Sequence, residues 1–161
     1  MNQTRRQLLQ ASAGTTVMAL AASAGLFKSG DVQAQVPAPA WNKAAFDTKT
    51  LQETVKALGG TTATESKDIT FVTAPDIAEN GAVVPVAIAS KIAKTESIAI
   101  LVEKNPNSLS AFFDIPDGTE PFVATRVKMG QTSNVYALVK ADGKYFYATK
   151  EIKVTLGGCG G

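Results

Sequence analysis

A single cysteine near the C-terminus is the residue of this sequence with the most evident chemistry. Cys159 is the only cysteine among 161 residues, and two glycines stand on each side of it. Glycine has no Cβ and is the most conformationally permissive residue, so this pattern predicts a thiol on a thin, flexible segment. A tail that begins at Thr155 can extend roughly 20 Å. The flanking glycines are Gly157, Gly158, Gly160 and Gly161.

The rest of the sequence offers this thiol no catalytic partner. A free thiol with a pKa of about 8.5 is only a few per cent thiolate near neutral pH. The chain has no histidine, which removes the usual general base and the commonest metal ligand. One cysteine without histidine cannot supply a haem-attachment motif, a zinc site or a Cys/His pair. We therefore predict that Cys159 is an attachment point in a protein that is not an enzyme, with no catalytic residue, metal site or cofactor.

Two other interpretations of Cys159 stay open at this stage. The thiol could form a structural disulfide with another subunit, or it could have no role. An independent redox enzyme is disfavoured, because a second cysteine and a histidine are both missing.

The N-terminal residues have the pattern of an export signal. Thr4-Arg5-Arg6-Gln7-Leu8-Leu9 is a twin-arginine motif, and a weakly apolar run from Ala11 to Phe27 follows it. Small polar residues interrupt this run, which makes a membrane span a poor interpretation; a surface helix of the mature protein is the alternative. We predict a signal peptide over residues 1–34 with cleavage after Ala34, Ala24 being a second choice, and therefore a periplasmic protein. An unpaired cysteine in an oxidising compartment suggests an intermolecular bond or a reactive thiol.

Removal of this signal changes the charge balance. The full chain has 16 basic and 14 acidic residues, and loss of residues 1–34 leaves 13 of each. A nucleic acid or an anionic membrane requires a concentrated basic surface. The mature chain has no such excess of charge, so neither partner is predicted.

The residues between the signal and the tail predict a β-rich domain. Residues 35–63 form an N-terminal segment with one short helix, about Thr48 to Leu58, because Thr50 and Glu53 have capping-box spacing and Gly59 can end it. Residues 64–154 alternate between apolar and polar side chains and are divided by turn signals. They predict an all-β, immunoglobulin-like antiparallel sandwich, followed by a glycine-rich arm over residues 155–161. The strand candidates are Ile69 to Ala74, Val83 to Ser90, Ile98 to Glu103, Ser110 to Ile115, Phe122 to Met129, Asn134 to Lys140 and Lys144 to Val154.

The last two strands and the strand with Pro85 carry more detailed predictions. Asp142-Gly143 predicts a tight hairpin turn. The final strand places four apolar side chains on one face, with Lys150 as the exception. Pro85 predicts an edge strand or a bulge, since proline cannot donate to a β-ladder. We expect a partner at the Pro85 edge and the N-terminal helix. The four apolar residues are Phe146, Ala148, Ile152 and Val154.

Other polar or aromatic groups are better explained by structure than by chemistry. The acidic residues near one turn predict a solvated loop, and Arg126 predicts an outward strand face. The tyrosines near the last hairpin predict cross-strand packing or an interface. These groups are Asp114, Asp117 and Glu120, and Tyr136, Tyr145 and Tyr147.

Four segments together carry a resemblance to a known family. They are the twin-arginine signal, Ala78-Glu79-Asn80-Gly81-Ala82-Val83-Val84-Pro85-Val86, Lys128-Met129-Gly130-Gln131-Thr132-Ser133, and the terminal Gly157-Gly158-Cys159-Gly160-Gly161. With these segments the chain resembles SoxY, the sulfur-carrier subunit of the bacterial thiosulfate-oxidising Sox system. The resemblance extends over essentially the whole chain.

This resemblance implies a role for Cys159 and a set of partners. Cys159 would hold sulfur intermediates covalently in the periplasm and present them to enzymes on a swinging arm. The haem protein SoxXA would join thiosulfate oxidatively to the thiol, and the manganese-dependent hydrolase SoxB would release sulfate. Where the sulfane dehydrogenase SoxCD is present, it would oxidise the remaining sulfur. SoxZ, a smaller sandwich subunit, would form a heterodimer with the chain and be exported with it.

Overall fold

The computed structural model describes residues 42–155, which form nine β-strands and two short helices. The helices are α1 (Lys43–Phe46) and α2 (Leu51–Ala57). The strands are β1 (Ala63–Glu65), β2 (Ile69–Thr73), β3 (Ile77–Ala78), β4 (Val84–Ser90), β5 (Thr95–Val102), β6 (Leu109–Asp114), β7 (Phe122–Val127), β8 (Ser133–Ala141) and β9 (Lys144–Val154). All seven predicted strands are present, with small shifts at their ends.

These strands form the two sheets of a sandwich. The larger sheet has the order β1-β9-β8-β5-β6, and β3 also pairs with β9; the smaller sheet has the order β2-β4-β7. The long strands pair antiparallel throughout. This arrangement confirms the predicted all-β, immunoglobulin-like fold class.

The main core lies between the two sheets. Val86 and Ile88 of β4 and Ile98 and Ile100 of β5 belong to it, and each is at most 1% exposed. They recur at every second residue because successive strand side chains point to opposite faces. The period of the strands therefore places both pairs on the inner faces of the sandwich.

A second cluster lies on the other face of the larger sheet. Ala45 of α1 and Val55 of α2 are fully buried there, in a cluster with Leu101, Leu138 and Tyr145 of the sheet. Such short helices are marginal alone and depend on this packing. The larger sheet is consequently buried on both faces.

Helix α2 begins and ends at the predicted signals. The Thr50 side chain accepts a hydrogen bond from the backbone N–H of Glu53 at 3.2 Å. The Glu53 carboxylate accepts from the N–H of Lys49 at 2.8 Å, one residue before the N-cap that a capping box would use. Gly59 follows the helix with a φ of +88°, as expected of a left-handed stop.

The last hairpin follows its sequence pattern closely. Asp142 and Gly143 both have positive φ, 48° and 71°, which a type I′ turn requires. Phe146, Ala148 and Val154 pack against the main core and Ile152 lies within it, so the predicted apolar face of β9 is confirmed.

Three short elements were not predicted. Helix α1, strand β1 and strand β3 have only four, three and two residues. Both short strands pair in parallel with β9, β1 near its beginning and β3 at its end. The sheet region therefore starts at Ala63, one residue before the predicted boundary.

The prediction of an edge strand at Pro85 is wrong, because β4 is the central strand of the smaller sheet. Pro85 pairs with Arg126 of β7, whereas β2 pairs with β4 only from Ala87 to Ser90. Pro85 thus lies beyond the end of β2, where β4 has a neighbouring strand on one side only. The bulge is in β2, between Phe71 and Thr73.

The predicted signal peptide over residues 1–34 and most of the predicted arm lie outside the described residues. Within residues 42–155, no helix is long and apolar enough to cross a membrane.

Candidate functional site

The structure reaches the base of the predicted arm but not its thiol. Cys159 and its four flanking glycines lie outside the described residues, so their predicted roles stay predictions. Strand β9 ends at Val154, and Thr155 is the last described residue. We call the surroundings of Val154 and Thr155 the arm root, since the cysteine follows Thr155 by four positions.

Hydrogen bonds hold the arm root on two sides. The backbone N–H of Thr155 donates to the carbonyl of Ala78 at 3.2 Å, and its hydroxyl donates to the carbonyl of Glu79 at 3.4 Å. The N–H of Val154 donates to the hydroxyl oxygen of Thr132 at 3.0 Å. The chain is therefore fixed to the sandwich up to Thr155.

The two segments that hold the arm root, residues 78–86 and 128–133, also contact each other. The N–H of Met129 donates to the carbonyl of Gly81 at 2.7 Å, and the Met129 side chain is fully buried. The side-chain amide of Asn105 donates to the carbonyl of Lys128 at 2.7 Å. Residues 78–86 and 128–133, two of the segments that carried the family resemblance, thus meet around the arm root.

Lys150 explains the one break in the apolar pattern of β9. Its ammonium donates to the carbonyl of Ala74 at 2.6 Å and pairs with the carboxylate of Asp76 at 3.0 Å. The backbone carbonyl of Asp76 also accepts from the N–H of Lys153 at 3.0 Å. These bonds join the segment before β3 to β9 just ahead of the arm root.

The surface beside the arm root is partly apolar. Ile77 is 58% exposed and Val83 is 52% exposed, and they belong to the two ends of the loop that contains Glu79 and Gly81. Large exposed apolar side chains are a common feature of interaction surfaces. The sequence did not identify them, because the two-residue β3 is too short to show a period and Val83 lies before the start of β4.

The tyrosines pack across strands, as predicted. The rings of Tyr136 and Tyr147 meet edge to face with centroids 6.1 Å apart. Burial raises the pKa of Tyr136, and the negative charge of Glu103 raises that pKa further. Tyr145 is 5% exposed, its hydroxyl donates to the carbonyl of Leu58 at 2.7 Å, and burial raises its pKa. Neutral hydroxyls held in this way act as structural hydrogen-bond donors.

The remaining candidates are scattered over the surface. Asp114, Asp117 and Glu120 are exposed, and the exposed Arg126 lies on the outer face of β7. Among residues 42–155, no three acidic, histidine or cysteine side chains are grouped so that they could hold a metal ion. Within residues 42–155, none of these residues is hydrogen-bonded to Val154 or Thr155.

The fold and the arm root together define a class of protein: an immunoglobulin-like sandwich whose last strand is anchored shortly before a lone terminal cysteine. The family described as sulfur oxidation protein SoxY matches residues 54–159. The chain therefore belongs to the SoxY family, and this membership supports a role in sulfur oxidation within a system of partner proteins.

Solved structures include a relative from the same family. The sulfur carrier protein SoxY from Chlorobium limicola f thiosulfatophilum is 37% identical, with 63% of this chain and 92% of that chain covered and a TM-score of 0.57. The human F-spondin reeler domain matches at 8% identity over 58% of this chain and 92% of that chain, with a TM-score of 0.39. No curated protein matches the sequence significantly.

Sequence reasoning predicted a role for the thiol but missed the residues that anchor the end of β9. Ala78, Glu79 and Thr132 contribute two backbone carbonyls and a hydroxyl, and such contacts have no signature of their own in a sequence. The available signal was indirect, because all three residues fall inside the two internal segments that carried the resemblance.

Proposed function

We propose that this protein is a periplasmic carrier that holds sulfur intermediates covalently on Cys159 and presents them to partner enzymes on a swinging arm. The observation that supports the proposal most directly is the anchored arm root, which ends four residues before the cysteine. Four extended residues span about 14 Å, so the thiol can enter a cleft whose rim rests on the sandwich. The four glycines would keep that segment slim.

The proposed chemistry is supplied by enzymes that act on the carrier. SoxXA would join thiosulfate to the thiol, forming a sulfur–sulfur bond with loss of the thiol proton and of two electrons, which would pass one at a time through the haem to an external electron acceptor. SoxB would then add water to the terminal sulfonate, which would leave as sulfate. One sulfur of the thiosulfate would remain bound to the cysteine. In a system with SoxCD, that sulfur would be oxidised and released by a second hydrolysis. The carrier itself contributes attachment and positioning.

The proposed companion is a SoxZ-type subunit that forms a heterodimer with this chain. Residues 1–34 would direct a folded pair through the twin-arginine route, which transports folded proteins.

Replacing the thiol tests the proposal. Cys159→Ser removes the nucleophile with little change in size, so we expect complete loss of loading. Intact mass spectrometry after incubation of the mature heterodimer with thiosulfate and SoxXA measures it. Wild-type protein should gain mass that a reductant removes, and the serine variant should gain none while keeping the heterodimer.

The same measurement separates the carrier from a subunit with a structural disulfide. Loss of the heterodimer on reduction, without any sulfur adduct, would support the disulfide instead. Loading of the Cys159→Ser chain would exclude Cys159 as the attachment site.

A further inference from the structure

The outer face of the smaller sheet has an apolar surface that no described element covers. Helices α1 and α2 cover the outer face of the larger sheet. On β4 the core-facing residues are Val84, Val86 and Ile88, so the residues between them point outward. We call this surface the outer face of the smaller sheet. Its apolar residues are Val72, Pro85, Ala87, Ala89, Phe122 and Ala124.

The shape of this outer face follows from its residue sizes. The central strand contributes only Ala87 and Ala89 beside Pro85, whereas the outer strands carry the larger Val72 and Phe122, which are 57% and 44% exposed. Small residues in the middle and larger ones at the sides make a shallow trough. Ala87 is only 4% exposed although it points away from the core, which is consistent with this shape.

One end of the trough deepens into a pocket of about 180 Å³. Pro85, Ala87 and Ala124 are among its lining residues, together with Thr73 and Arg126. Sites for cofactors and drug-sized ligands occupy about 300–1,000 Å³, so this pocket is too small for them. It has the size for one large apolar side chain, and large side chains seated in pockets dominate the energies of protein interfaces.

Arg126 places a positive charge beside this pocket, and a partner would have to match it. It is exposed, and no ion pair or side-chain hydrogen bond within residues 42–155 includes it. A guanidinium at the rim of an apolar pocket matches a carboxylate beside the apolar side chain that fills the pocket. The surface therefore fits a partner with both groups next to each other.

A second copy of this chain does not meet that requirement through the same surface. In a two-fold dimer each copy uses the same residues. The outward residues of β2, β4 and β7 include Arg126 but no Asp or Glu, so these strands of a second copy would offer it no carboxylate. Complementary charge calls for a different protein.

We propose that the outer face of the smaller sheet binds the companion subunit of the heterodimer, which inserts one large apolar side chain into the 180 Å³ pocket and a carboxylate beside Arg126. This inference rests on the proposed function for the existence of that subunit. It replaces the expected contact at helix α2 with a contact on the opposite side of the sandwich.

The test compares two insertions of arginine on opposite sides of the molecule. Ala124→Arg blocks the pocket, and Ala44→Arg places the same side chain on the exposed surface of α1. Isothermal titration of the mature chain with the SoxZ-type subunit gives the affinity. We expect Ala124→Arg to weaken binding at least 100-fold and Ala44→Arg to change it less than threefold. Circular dichroism and urea unfolding establish that both variants are folded.

A charge reversal at Arg126 gives an independent measurement. Arg126→Glu leaves the pocket in place and should weaken binding at least tenfold, more strongly at low salt, while Lys144→Glu on the exposed last hairpin should leave the affinity unchanged.

The possible failures are distinguishable. Unchanged affinity in a folded Ala124→Arg chain overturns the outer face as the interface but leaves the carrier function intact. Absence of any binding by the wild-type chain overturns the companion subunit and this surface together. A wild-type homodimer in sedimentation that Ala124→Arg dissociates would identify a second copy as the occupant, which also overturns the proposal.

Discussion

At the scale of single residues, Gly60 is required by close packing. A Cβ at this position would lie 2.5 Å from the Tyr145 ring and 2.8 Å from a methyl of Val55. Both neighbours are buried, so they have little room to move. We predict that Gly60→Ala lowers the free energy of unfolding by about 1–3 kcal/mol, as overpacking does. Urea unfolding measures the change.

The matched control is Gly130→Ala. A Cβ there meets no atom within 4 Å, and the residue has no positive φ. Its stability should stay within about 0.5 kcal/mol of wild type. Equal stability of the two variants would mean that the contact between Gly60 and Tyr145 relaxes at no cost.

The sequence alone draws attention to Cys159 but not to Gly60. The lone Cys159 between paired glycines is recognisable from local composition alone. The need for glycine at position 60 depends on Tyr145, which is far away along the chain and is brought close by the pairing of β1 with β9. Contacts of this kind appear only with the tertiary structure.

At the scale of elements, one ion pair connects β5 with the last hairpin. The Glu96 carboxylate pairs with the Lys140 ammonium at 2.7 Å and accepts from the N–H of Gly143 at 2.9 Å. The hydrogen bond from Lys140 lowers the pKa of Glu96 below its ordinary value of 4.5. The same bond raises the pKa of Lys140.

This pair predicts a pH-dependent contribution to stability. Because the pKa of Glu96 is lowered in the folded state, its contribution is present above about 4.5 and is lost as pH falls through the folded pKa. Glu96→Gln should therefore lower the urea midpoint at pH 7, by a small amount typical of surface pairs. At a pH below the folded pKa the two midpoints should converge. A difference that persists unchanged in acid would assign the effect to packing rather than charge.

The sequence predicts the long strands better than it predicts the short ones. Strands β4, β5 and β8 are rich in apolar residues between turn signals, β9 alternates, and Asp142-Gly143 marks the turn between the last two strands. Strands β1 and β3 are too short for any period, and they are strands only because they pair with the edge of β9 opposite β8. Pro85 was misassigned because one residue type was taken to describe a whole strand, although only the part of β4 beyond β2 lacks a neighbour.

At the scale of the whole molecule, the larger sheet is shared by both apolar clusters. Leu138 of β8 packs in the cluster under the helices, and the next residue, Val139, packs in the core between the sheets. Strand β8 carries apolar side chains on both of its faces, so its sequence is compatible with burial on both sides of the sheet. The sequence could not show which side the helices cover, since that depends on the path of the chain before β1.

Because both apolar clusters pack against the larger sheet, we predict that the described domain unfolds cooperatively. Leu138 is 1% exposed, and Leu138→Ala should lower the free energy of unfolding by about 2–5 kcal/mol. Because β8 contributes to both clusters, protection from hydrogen exchange should fall equally at Val55 in α2 and at Ile88 in β4, although Ile88 belongs to the other sheet.

Val139→Ala is the matched variant on the opposite face of the same strand. It should reduce protection at both positions by one common, smaller amount, because fewer buried carbons are removed. If Leu138→Ala exposes only α2 while Ile88 keeps its full protection, the helices open separately and the sandwich is the cooperative unit by itself. Since the arm root depends on β9, which pairs with β8, its order would then be independent of the helices.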